Sequence, residues 1–200
     1  MDDQLTEQLV RRHLAATEAV IRLVAERCAP AIVRAADVLV SSLHEGGKLL
    51  LCGNGGSAAN CQHLAAEFVN TLTRPVVRPP LAAIALTTDT SLLTAAANDR
   101  GFEGVFARQV LALGRSGDVL IAITTSGDSP NILRALETAR AAGLQTVLLG
   151  GETGGKAKPL ADVAILIPSA DTQRIQEAHI AVGHVLCDLV ERAIYPNVLP

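Results

Sequence analysis

Apolar residues recur every three or four positions from Leu5 to about Arg27, through Leu9, Val10, Leu14, Ala15, Ile21 and Val24, and again from about Ala31 to Leu43. That spacing gathers them on one helical face, so the chain is predicted to open with two amphipathic helices, punctuated by Pro30 and by Gly46-Gly47. Beyond Gly47 the pattern changes to short, nearly continuous apolar runs: Lys48–Cys52, Ala82–Leu86, Val119–Thr124, Thr146–Leu149 and Val163–Ile167. Runs of this length, bounded by Gly, Asp, Thr and Pro, predict strands buried on both faces. Between and after them lie helical segments at about Ala58–Leu72, Ser91–Ala97 with Gly104–Leu113, Pro130–Ala142 and Thr172–Tyr195. The alternation predicts an α/β fold over residues 47–200, a three-layer, doubly wound, five-stranded parallel sheet, with an N-terminal helical extension over 1–46. The extension would either cap its own sheet or expose an apolar stripe to a copy of itself, and the second arrangement predicts a homo-oligomer.

Two hundred residues, 49% hydrophobic and 18% charged, suffice for one domain with a sizeable core and are too few for two large ones. Lys and Arg number 17 against 20 Asp and Glu, so no basic field exists to neutralise a nucleic-acid backbone. The aromatic residues, Phe68, Phe102, Phe106 and Tyr195, are too few for a base-stacking platform. No nucleic-acid partner is expected. Charges or glycines interrupt every apolar stretch short of a membrane span, and Met1-Asp2-Asp3-Gln4 is acidic and unlike a signal peptide, so a cytoplasmic location without a membrane partner is expected. Cys28, Cys52, Cys61 and Cys187 form no CxxC pair and are expected as buried free thiols.

The first strand leads into Gly53-Asn54-Gly55-Gly56-Ser57 at a helix start, where glycines permit close backbone approach and free N–H groups point outward. The third leads into Thr124-Thr125-Ser126-Gly127-Asp128-Ser129-Pro130, with Ser129 a candidate N-cap and Pro130 suited to the first helical position. Either loop alone is an ordinary strand-to-helix turn. Two in one small sheet, both ending in Gly-x-Ser, point to a phosphate held by hydroxyls and backbone amides at the carboxyl ends of the strands. Gly53-x-Gly55-x-x-Ala58 also fits the loose dinucleotide pattern, yet Thr71, Leu72, Thr73 and Arg74 stand where that pattern wants an acid, and no P-loop lysine follows the glycines. A sugar monophosphate fits better than NAD or ATP.

His63 and Glu67 lie four apart on one face of the helix that begins at the first loop, within reach of a small ligand bound there. The last helix carries Gln176, Glu177, His179 and His184. His and Glu are ligand types that zinc takes while leaving a position open for substrate. Gln176 and His184 are separated by about 12 Å along a regular helix, so a shared metal requires either a distorted helix or a site shared between subunits.

Together, Gly53-Asn54-Gly55-Gly56-Ser57, His63-x-x-x-Glu67, Asn98-Asp99, Thr124-Thr125-Ser126-Gly127-Asp128-Ser129 and Arg174-Ile175-Gln176-Glu177-x-His179 with His184 resemble the sugar isomerase (SIS) family, and within it the phosphoheptose isomerases. The resemblance spans almost the whole chain and implies the SIS fold, a flavodoxin-like sheet. It further implies a homotetramer with sites at subunit interfaces and one Zn²⁺ per subunit. By the same resemblance the metal ligands fall on His63, Glu67, Gln176 and His184. Substrate contacts fall on Asn54, Gly55, Gly56, Ser57, Glu67, Asn98, Asp99, Thr124, Thr125, Ser126, Ser129 and Gln176. Two positions depart from the family: Thr124 stands where serine is usual, and Gln173 where some members carry an aspartate.

The implied reaction is the aldose–ketose isomerisation of sedoheptulose 7-phosphate to D-glycero-D-manno-heptose 7-phosphate, the first step of nucleotide-activated heptose biosynthesis. Glu67 would be the base, with Asp99 as the alternative, and His184 the acid. Other relatives are tetrameric regulators that bind the bacterial replication initiator. Ser57-Ala58-Ala59-Asn60, Ala95–Arg100 and Leu186-Cys187-Asp188-Leu189 resemble these too, but such regulators tend to lack the counterparts of Glu67 and His184. A further alternative is an isomerase or binder of another phosphosugar.

Overall fold

The apolar runs form the centre of the molecule because each is buried from both sides. In the computed structural model, which describes residues 3–72 and 77–197, β1 (Leu49–Gly53) and β3 (Val119–Thr124) are buried at every position. They are joined by β2 (Ala83–Ala85), β4 (Gln145–Gly150) and β5 (Val163–Leu166) in one parallel sheet of order β2-β1-β3-β4-β5. Met1, Asp2, Thr73 and Arg74 lie outside the described residues. The pleat sends alternate side chains to opposite faces. Leu49, Leu51, Val119, Ile121 and Ile123 pack under α1 (Asp3–His44), α2 (Gly56–Val69) and α6 (Thr172–Ile194). Leu50, Cys52, Leu120 and Ala122 face the other way, toward α4 (Val105–Leu113) and α5 (Pro130–Ala141), with α3 (Thr90–Arg100) at the margin. The expected three-layer, doubly wound, five-stranded parallel sheet is therefore present. The edge strand β2 is shorter than its apolar run, since it has one strand neighbour and follows Pro79-Pro80.

The N-terminal expectation needs correction: there is one continuous helix, α1, and Pro30 lies inside it. Proline removes one backbone hydrogen bond and crowds the preceding turn, which costs about 3 kcal/mol in an isolated helix. Packing offsets that cost. Val24 and Cys28 before the proline, and Ile32, Ala35, Ala36 and Leu39 after it, are buried in one cluster with α6 residues Val182 and Leu186. The Cys28 thiol also donates to the Leu166 carbonyl at 3.2 Å. The outer half of α1 leaves Leu5, Leu9, Val10 and Leu14 exposed. Among the described residues, no helix is long and apolar enough to cross a membrane.

Candidate active site

Strand order reverses between β1 and β3, since β2 flanks β1 on one side and the remaining strands continue on the other. A crevice opens at such a point beyond the carboxyl ends of the strands. Here the loops after β1 and β3 enclose a cavity of about 70 Å³, lined by Asn54, Ser57, Ile123, Thr124, Thr125, Ser126, Ser129 and Gln176. A neighbouring cavity of about 260 Å³ shares Thr125 and Ser126 and continues toward Glu152, Ser169 and Thr172. Two helices, α2 and α5, begin at this place, so their first-turn amides favour an anion even though no Lys or Arg lines the smaller cavity. Ser129 is the N-cap residue of α5, as its sequence suggests, with Pro130 in the first turn, but its hydroxyl makes no capping bond. That hydroxyl remains available to a ligand.

The loops are held by contacts that motif spacing does not reveal. Asn54 and Asn131 exchange two amide hydrogen bonds of 2.9 and 2.8 Å, which fasten the β1 loop to the first turn of α5. Asn131 is buried although it sits on a helix whose other buried residues are Ile132, Ala135, Leu136 and Ala139. A buried asparagine among apolar neighbours is the signal that could have marked it. Gln176 reaches the start of α2, where a Cβ built on Gly56 would stand 2.8 Å from both side-chain amide atoms. The glycine is needed for that approach. The Asn60 amide donates to the Gln176 carbonyl at 3.3 Å and ties the same two helices together.

Two turns further along α2, His63 meets His184 of α6, with the Nε2 atoms 2.8 Å apart and the rings edge-on. Glu67 Oε1 lies 3.5 Å from His63 Nε2. The helices approach closely here because Gly183 has no side chain: a Cβ would lie 2.5 Å from a methyl of the buried Leu64. His63 thus meets both His184 and Glu67, while Gln176 stands apart from them beside the anion loops. α6 is unbroken from Thr172 to Ile194, so helix distortion does not bring Gln176 to His184. Among the described residues, no group of three or more His, Cys, Asp or Glu side chains stands ready to hold a metal ion. Asn98 and Asp99 are exposed on the last turn of α3 and bonded to each other at 2.9 Å, away from the lining of the small cavity.

The remaining polar residues of the α6 motif face elsewhere. Arg174 and Glu177 engage each other and Thr17 of α1. His179 is fully buried with Nε2 3.2 Å from the Gly150 carbonyl, and burial lowers its pKa to about 4 despite that hydrogen bond. All four cysteines are free and buried, as expected. Burial pushes Cys52 up to about 12; burial first, then the Glu67 and Glu191 carboxylates, push Cys187 up as well. Neither thiol is poised as a nucleophile.

Comparison with known proteins agrees with this architecture. A family model described as "SIS domain" matches residues 12–151. The phosphoheptose isomerase of Rhodospirillum rubrum is 54% identical over 167 residues, covering 84% of this chain and 88% of that protein. The phosphoheptose isomerase of Chlorobaculum tepidum is 51% identical, with 93% and 90% covered. Among solved structures, the phosphoheptose isomerase of Neisseria gonorrhoeae superposes with a TM-score of 0.87 at 41% identity, covering 93% of this chain and 98% of that one. That of Francisella tularensis gives a TM-score of 0.89 at 38% identity, with 94% and 98% covered. Identity of this extent over most of the chain, with close superposition on solved members, means that the chain belongs to the phosphoheptose isomerase family of SIS-domain proteins.

Proposed function

We propose that this chain catalyses the aldose–ketose isomerisation of sedoheptulose 7-phosphate to D-glycero-D-manno-heptose 7-phosphate. The observation that carries the reading is the pairing of a hydroxyl- and amide-lined anion cavity with a His63–Glu67–His184 cluster on the helices that border it. The resemblance of the whole chain to phosphoheptose isomerases supplies the substrate. Thr124, Thr125, Ser126, Ser129, Ser57 and the α2 and α5 amides hold the phosphate, with Asn54, Gly55 and Gly56 shaping the β1 side. Binding there orients the reacting carbons without taking part in the bond changes.

Glu67 removes a proton from C1 of the ketose while O2 gains one from His184, giving an enediol. Return of the first proton to C2 and loss of a proton from O1 complete the aldehyde and restore both side chains. Asp99 is the second candidate base, but its exposed place on α3 in the single chain favours Glu67. The donor set of His63, Glu67 and His184 fits Zn²⁺, with Gln176 as a further ligand, and Glu67 and His184 would alternate between holding the metal and moving protons. Bound zinc would supply charge stabilisation at the carbonyl oxygens. The separation of Gln176 and His184 on one unbroken helix supports a site shared between subunits, in a homotetramer for which a cytoplasmic location is proposed. An apolar groove between α1 and α6, lined by Ile21, Val24, Val33, Val182 and Val185, supports that association. The test is turnover of sedoheptulose 7-phosphate by the purified protein, before and after chelation and after zinc is restored. Zinc-dependent appearance of the aldoheptose phosphate is expected; a folded, metal-replete protein that leaves the ketose unchanged refutes the reading.

A further inference from the structure

Beneath the cluster, Arg78 and Glu191 form an ion pair with both side chains fully buried, the guanidinium Nε and Nη2 donating to Glu191 Oε1 at 2.7 and 2.6 Å. Arg78 lies in the segment between α2 and β2, and Glu191 near the end of α6. The same guanidinium donates from Nη2 to the Glu67 carbonyl at 2.8 Å and from Nη1 to the Pro79 carbonyl at 2.9 Å. Glu191 Oε1 also accepts from the Leu72 backbone N–H at 3.0 Å, and the Tyr195 ring lies 5.9 Å from the guanidinium. The Glu67 carbonyl belongs to the last turn of α2, where the final carbonyls lack helical partners. Asn70 N–H bonds to Ala66, Leu81 N–H to Phe68, and Arg78 takes the carbonyl between them.

We propose that Arg78 is a positioning residue for the isomerisation: gripping the main chain at Glu67 and anchored by Glu191, it sets where the Glu67 carboxylate stands relative to His63 and His184. The inference rests on the isomerase reading, in which Glu67 is the base. Three features carry it. Arg78 contacts the backbone of the residue whose side chain is to move the proton. Glu191 lies seven residues after His184, two turns along and on nearly the same face of α6, so one buried pair fixes α2 against the helix that carries the proton donor. The arrangement is also lopsided, since among the described residues Glu191 Oε2 is buried without a hydrogen-bond partner while Oε1 accepts from Arg78 and Leu72. A buried pair placed for fold stability alone gains from saturating both oxygens.

Two variants test the claim. Arg78→Lys keeps the charge opposite Glu191 but replaces the planar fork, which spans several acceptors, with a single ammonium group. The double variant Arg78→Met with Glu191→Leu removes both charges together and leaves neither buried alone. With circular dichroism and oligomeric state matching wild type, kcat on sedoheptulose 7-phosphate is expected to fall on the order of tenfold to a hundredfold in both. KM should stay within about twofold, because the phosphate loops are untouched. A folded variant with wild-type kcat overturns the proposal, as does an equal loss in KM. A Lys variant that fails to fold also overturns it, since Arg78 would then hold the fold and not one carboxylate. Crystal structures of wild type and Arg78→Lys separate this claim from the isomerase reading. If wild type itself does not isomerise the sugar, that reading fails, and the distance from the Glu67 carboxylate to His63 decides the positioning claim alone: displacement supports it and an unchanged distance overturns it.

Discussion

Glu67 faces His63 one turn back, and its backbone carbonyl is capped from the far side by Arg78. Replacement by glutamine preserves shape and removes basicity. Glu67→Gln is therefore expected to lose on the order of a hundredfold to ten-thousandfold in kcat with the oligomer intact, which steady-state turnover together with light scattering will check. His179 presents a different residue-scale consequence, for stability. Its Nε2–H serves the Gly150 carbonyl, while Nδ1 is buried without a partner among the described residues and burial holds its pKa near 4 against an ordinary 6.5. Above pH 6.5 the imidazole is neutral both folded and unfolded. As pH falls from 6.5 toward 4, the unfolded chain takes up a proton that the native core refuses, so stability falls through that window by an amount on the order of 3 kcal/mol. Urea midpoints at pH 7 and pH 4.5 should therefore diverge in wild type and converge in His179→Gln; equal pH sensitivity in the two proteins removes His179 as the cause.

At the scale of elements, the site depends on how closely α2 and α6 approach, and Gly183 sets that distance. Gly183→Ala drives a methyl into Leu64, which is buried and has little room to yield, so α6 must shift and His184 with it. A stability loss of about 1–3 kcal/mol is expected, together with a fall in kcat. Leu64→Ala in the same background should return much of the activity by clearing the space, and failure of that rescue would place the defect elsewhere. This contact also marks the limit of sequence reading. The strands were legible because β1 and β3 are apolar on both faces, and the anion loops because Gly and hydroxyl residues follow those strands immediately. Pro30 misled because helix propensity is local, whereas the burial that carries α1 through it comes from α6 and β5. Arg78, Asn131 and Gly183 escaped notice for a related reason. Their partners lie 113 residues away for Arg78 with Glu191 and 77 for Asn131 with Asn54, and no periodicity links positions so distant. An arginine beside prolines reads as a solvated loop residue until the fold buries it.

For the molecule as a whole, the outstanding geometric fact is that one chain carries all four proposed metal ligands, brings His63 against Glu67 and against His184, and keeps Gln176 apart from them. Gln176 packs against the start of α2 and His184 against its middle, and the unbroken α6 that carries both keeps them about 12 Å apart. Exposed Leu5, Leu9, Val10 and Leu14 on α1, with the apolar groove where α1 meets α6, provide a surface on which copies can associate. If Gln176 of one subunit completes a site that uses His184 of another, inactive variants will complement each other. Gln176→Ala and His184→Ala should each be inactive alone. Co-expressed as a mixed oligomer, they should recover about a quarter of wild-type activity, the share of sites that draw the intact glutamine from one parent and the intact histidine from the other. Activity of the mixture, measured after isolating oligomers that carry both affinity tags, decides the matter. No recovery in such hybrids would mean that each site takes both residues from one chain, and α6 would then have to bend when metal and sugar bind.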